Sequence, residues 1–97
     1  MFTISHTVAM TPEFRKRRHE ELSRELERLS QIYSQLDPKA KSRDRAVDQT
    51  TQSHLEKAKT FIQNAETFDK ARVQLTCARI KLDFLTGTEI PLPHYSN

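Results

Sequence analysis

Four histidines, one cysteine, a pair of adjacent carboxylates and a run of cations are the residues from which chemistry would have to be built. His6, His19, His54 and His94 contain no i,i+3 or i,i+4 pair, so no helix would present two of them to one metal ion. Cys77 is the single cysteine, which rules out an internal disulfide and makes a reducing compartment, the cytoplasm, the expected setting. It sits beside an apolar stripe and reads as a small half-buried residue rather than a nucleophile. Glu20 and Glu21 fall on an expected exposed helix face, where carboxylates are solvated charge and not a general acid and base. The sequence has no nucleophile elbow, phosphate loop or dinucleotide fingerprint. We therefore expect no enzyme: no catalytic residue, no cofactor, no metal and no small-molecule substrate.

Arg15, Lys16, Arg17 and Arg18 break a local rule. They lie in the first turns of an expected helix, near the dipole end that prefers anions. One reading is an anion-binding edge facing a phosphate backbone or an acidic protein surface. The other is a face balanced internally by Lys16–Glu20, Arg17–Glu21 and Glu20–Arg24 pairs at i,i+4. A second cluster, Lys39, Lys41, Arg43 and Arg45, would lie about 30 Å away along the first helix, at 1.5 Å per residue. Lys57 and Lys59 would fold back beside Arg15–Arg18. Interleaved aromatics for stacking on single strands are missing, and no zinc-finger, homeodomain or RNP pattern is present.

The elements that position these groups follow from composition and period. The chain has 97 residues and a net charge of +3, all of it in residues 1–46, where ten Lys/Arg oppose seven Asp/Glu. It is 35% hydrophobic and 30% charged, with one glycine where average usage gives about seven. Scarce glycine favours long helices joined by few turns. No apolar run is long enough for a signal peptide or a membrane span, so no membrane contact is expected.

Residues 1–11 form an expected extended arm, with Phe2, Ile4, Val8 and Met10 apolar on one side. Thr11 caps and Pro12 opens a first helix over 12–36, whose Leu22, Leu26, Leu29, Tyr33 and Leu36 recur at steps of 4, 3, 4 and 3. Asp37-Pro38 ends it and opens a second helical stretch over 38–86, loose through its polar residues 39–53. There Leu55, Ala58, Phe61, Ile62 and Ala65 define one register, and Phe68, Ala71, Leu75, Ala78, Leu82 and Leu85 another. With neither glycine nor proline at the junction, one long or slightly kinked helix is favoured over a turn near Asn64–Asp69 that Thr67 would cap. Gly87 fits a left-handed C-cap, and 88–97 form an extended, proline-containing tail.

The expected fold is all-α: one domain, an antiparallel helical hairpin or small helical bundle with coiled-coil-like packing. A hairpin of this size has too little interior to hold itself firmly without a staple. The expected function is accordingly that of a non-catalytic protein-interaction module (an adaptor, small chaperone or inhibitor) that binds a protein partner, self-associates, or both. Phe2, Ile4 and Val8 of the arm and Ile90, Leu92 and Tyr95 of the tail would make contact, with Arg15, Lys16, Arg17 and Arg18 steering an acidic partner. The alternative is a non-specific nucleic-acid binder using the two basic clusters.

Overall fold

The computed structural model describes residues 11–96, and 79% of these are helical, with no strand among them. The fold is all-α. Four α-helices follow in order: α1 (Pro12–Ser34), α2 (Pro38–Ser42), α3 (Arg45–Ile62) and α4 (Phe68–Thr86), the last two joined through a 3-10 turn at Ala65–Thr67.

Each boundary has a local chemical cause. The Thr11 hydroxyl accepts from Phe14 N–H at 3.1 Å and Pro12 takes the first helical position, as the sequence implies. Asp37 caps α2, its carboxylate accepting from Lys39 N–H at 2.9 Å. The single long or kinked helix favoured over 38–86 is not what forms: the stretch is divided twice, and both divisions are made by side chains rather than by glycine or proline. Asp44, at φ −150°, breaks α2 from α3 and accepts from the N–H groups of Ala46 and Val47. Asn64, at φ −133° and ψ 127°, accepts from Glu66 N–H at 2.9 Å, while Thr67 Oγ1 donates to Phe61 O at 2.6 Å. Short polar side chains thus offer the backbone a partner outside the helix, and the chain reverses there.

The reversal makes α3 and α4 an antiparallel hairpin, with His54 Nδ1 2.6 Å from Gln74 Oε1 between them. Helix α1 lies across this hairpin. At one end Tyr33 donates to Asp48 Oδ1 at 2.6 Å and accepts from Gln52; at the other the rings of His19 and Phe68 are 6.3 Å apart. The result is an elongated three-helix bundle, 53 × 21 × 19 Å, with short α2 at the α1–α3 corner. Residues 39–53, expected loose, include the fully buried Thr51, whose hydroxyl donates to Val47 O, and the two groups that grip Tyr33.

The core is built on α4. Phe68, Ala71, Leu75, Ala78, Leu82 and Leu85 are all buried, the full register read from the sequence. Leu55, Ala58 and Ile62 of α3 meet them, with Leu22 and Leu29 of α1; Leu26, Tyr33 and Leu36 pack at the edge. Gly87 ends α4 at φ 75°, its N–H bonding to Asp83 O at 2.9 Å. The tail then folds back along the bundle and buries Ile90, 5% exposed, in the same core.

Urea unfolding followed by circular dichroism should separate core from edge. Leu75→Ala should lower stability by about 2–5 kcal/mol, since the side chain is 1% exposed. Leu26→Ala, at the rim, should cost clearly less, and Val73→Ala, 58% exposed, should change stability by under about 0.5 kcal/mol. Equal losses at Leu75 and Val73 would contradict this packing.

Candidate functional site

The feature that the core leaves over is a second apolar stripe on α4. Val73, Cys77, Ile80 and Phe84 recur at steps of 4, 3 and 4, which places them on one helix face, opposite the buried register. Val73, Ile80 and Phe84 are 58%, 56% and 52% exposed, and Cys77 is half-buried among them. Near the start of the helix Asp69, Arg72, Val73, Thr76 and Cys77 line a shallow, mainly apolar groove. Lys70 and Lys81 flank the stripe on the side of α3; Arg72, Arg79 and Asp83 flank it on the side of the tail. The spacing of this stripe is present in the sequence beside the longer Phe68–Leu85 register on the same helix.

The basic run does not act as one edge. Arg15, Lys16 and Arg17 are exposed, whereas Arg18 turns inward. Its guanidinium donates to Ser96 O at 2.6 Å and lies over the rings of Phe14 and Tyr95, at 5.2 and 5.4 Å. Of the ion pairs expected to balance this face, none forms among the described residues: Arg18 meets Glu21 instead, at 3.5 Å. The second cluster stays apart at the α1–α3 corner, where Lys41 lies 4.5 Å above the Tyr33 ring. The Tyr33–Asp48 contact sets the register of α3, so Lys57 and Lys59 fall about two turns short of Arg15–Arg18 rather than beside them.

The tail is where sequence and structure part most. Ile90 and Tyr95 face this chain's own helices and are not presented to a partner; only Leu92, 71% exposed, points outward. Ile90 N–H donates to Asp83 Oδ1 at 2.7 Å, and Arg28 donates to Pro91 O at 2.8 Å. Arg28 is held in turn by Glu25, which receives two bonds of 2.8 Å from it although the carboxylate is only 5% exposed. This buried carboxylate, three residues before its arginine and between Leu22 and Leu29, was not singled out in the sequence. Glu21, expected as solvated charge, accepts from both the N–H and the hydroxyl of Ser96. Burial pushes the Glu21 carboxyl upward, but the Ser96 bonds and the Arg18 and Arg17 charges outweigh it and leave the group below its ordinary value. The arm residues Phe2, Ile4 and Val8 lie outside the described residues.

Among the described residues no three His, Cys, Asp or Glu side chains gather as metal ligands, and no helix is long and apolar enough to cross a membrane. Compared with known protein families, curated proteins and solved structures, the chain matches none.

Tyr95 gives the docked tail a spectroscopic handle. Burial first, then the Glu25 charge, push its phenol up to about 12, against the pull of Arg72, Arg18 and Arg28. A folded-state value above the unfolded one means that the contribution to stability is complete below about pH 10 and is lost as pH rises towards 12. Phenolate absorbance should therefore show its upper midpoint near 12 in the folded protein. Tyr95→Phe should remove that step, leaving Tyr33, which burial and its bond to Asp48 also raise. A Tyr95 midpoint near 10 in folded protein would mean an undocked tail.

Proposed function

We propose that this chain is a non-catalytic interaction protein whose exposed α4 stripe receives an amphipathic helix of a partner protein. The observation that carries this reading is the stripe itself: Val73, Ile80 and Phe84, each more than half exposed, on the helix that also supplies the centre of the core. Large side chains grouped on one face are costly to leave in water and mark contact surfaces. Their 4-3-4 spacing matches the seam of a two-helix contact, so the complement is a helix with its own apolar positions at the same period. Its flanks should be acidic. Helix α4 carries Lys70, Arg72, Arg79 and Lys81 against Asp69 and Asp83; the Arg79–Asp83 pair cancels itself, which leaves Lys70, Arg72 and Lys81 against Asp69. Exposed Arg15, Lys16 and Arg17 add to the attraction and would raise the rate of encounter with an acidic partner.

A direct test uses a synthetic helical peptide with Leu at its seam positions and Glu on both flanks, followed by fluorescence anisotropy. Saturable binding should weaken at least about tenfold on Ile80→Glu, with the helical spectrum unchanged because the side chain lies outside the core. Replacing Arg15, Lys16 and Arg17 by Gln should slow association at low salt and leave dissociation nearly unchanged. Equal binding to the wild type and Ile80→Glu would refute the site. A duplex DNA probe bound with steep salt dependence, in the absence of peptide binding, would instead favour the nucleic-acid alternative.

A further inference from the structure

We propose that the groove between α1 and α4 is a binding site for an extended peptide, occupied in this structure by the chain's own tail. Its ligand would be a segment of another protein that carries an aliphatic side chain and, five positions later, an aromatic one. The groove shares the flanking Arg72 and Asp83 with the exposed α4 stripe but none of its apolar side chains, so Ile80→Glu tests the stripe without touching the groove.

Polar recognition of the tail is aimed largely at its main chain. Asp83 and Glu21 accept backbone N–H groups from Ile90 and Ser96; Arg28 and Arg18 donate to the carbonyls of Pro91 and Ser96. Bonds of this kind read an extended backbone and are available to segments of other sequence. Of the side chains that make them, Arg28 is held by a residue of its own helix and not by the tail. Arg18, Glu21, Glu25 and Arg28 recur at steps of 3, 4 and 3 on one face of α1, and Glu25 clamps the Arg28 guanidinium through two bonds.

Side-chain selection is confined to two places. Ile90 enters the apolar core, and Tyr95 sits between the guanidinium groups of Arg18 and Arg72, 5.4 and 4.8 Å from its ring centre. Between these anchors the tail bridges rather than fills the groove. Pro91, Leu92 and His94 are exposed, and an open cleft of about 240 Å³ remains between the middle of the tail and α1. At the Tyr95 end, Arg18 Nη1 and Glu21 Oε1 are buried, and among the described residues neither finds a hydrogen-bond partner. These two atoms instead face each other as an ion pair at 3.5 Å, so the Tyr95 end of the groove presents a paired charge beside its aromatic seat. The link back to α4 is Gly87, at φ 75°, followed by exposed Thr88 and Glu89, with Thr88 N–H donating to the Thr86 hydroxyl at 3.2 Å.

The probe is a fluorescein-labelled peptide with the sequence of residues 88–97, titrated with the full chain. The tethered tail competes with it, so the wild type should bind weakly. Tyr95→Ala weakens the tail and leaves the groove intact, and should tighten apparent peptide affinity by at least about tenfold. Ile90→Ala should act in the same direction, and circular dichroism reports whether each variant keeps its helices. A peptide with Ala in place of the Tyr should show no gain with either variant. The proposal is overturned if folded Tyr95→Ala protein binds the peptide no better than the wild type, or binds the Ala-substituted peptide equally well. It is also overturned if sedimentation shows Tyr95→Ala and wild-type chains pairing through exchanged tails in place of binding the peptide.

Discussion

Helix α4 carries apolar side chains on two opposite faces, and the described chain has material to cover one of them. That constraint shapes the rest of the molecule. Six residues of α4 form the buried register, and α3, one short turn earlier in the chain, packs against them through Leu55, Ala58 and Ile62. Helix α1 contributes only Leu22 and Leu29 as fully buried side chains, too little to close the core alone. The remaining edge is sealed by the tail through Ile90. In a chain of this size the ratio of surface to interior is unfavourable, and a proline-containing segment is recruited as core in place of a longer helix.

Sealing the edge in this way places charge inside. Glu25 lies within the seam of α1 at 5% exposure, where an isolated carboxylate would be strongly unfavourable. Its bidentate pairing with Arg28 offsets that penalty in part, and the same guanidinium reaches Pro91 O. The tail is thus held by directional bonds to its backbone as well as by Ile90 and Tyr95. Glu21, Arg18 and Asp83 extend the pattern along its length. The far side of α4 receives no such cover from the described residues, and this asymmetry is the ground for reading it as a contact surface.

Much of the fold is legible in the sequence because it rests on period and local chemistry. The Thr11-Pro12 start, the Leu22–Leu29 seam, the Phe68–Leu85 register and the Gly87 cap all involve residues within a few turns of each other. The sequence offers the break at Asn64 only as the less favoured alternative and gives no sign of the one at Asp44, because polar side chains terminate helices by hydrogen bonding, a weaker mark in sequence than glycine or proline. Contacts across 63 to 78 residues, as between Arg28 and Pro91 or Arg18 and Ser96, leave no periodic trace. Hence the sequence places Ile90, Tyr95 and Arg18 at an available surface, whereas in the fold they hold the tail against α1 and α4. The exposed stripe on α4 was legible as spacing but not as exposure: two apolar registers on one helix look alike until the neighbours are known.

Solvent access to the α4 methyl groups decides whether that face is open. With Val, Ile and Leu methyls labelled and a soluble nitroxide added, paramagnetic broadening should be strong at Val73 and Ile80 and weak at Leu75 and Leu82. Protection of Val73 and Ile80 equal to that of Leu82 would show the face already covered, by the arm or by a second copy, and would contradict the account.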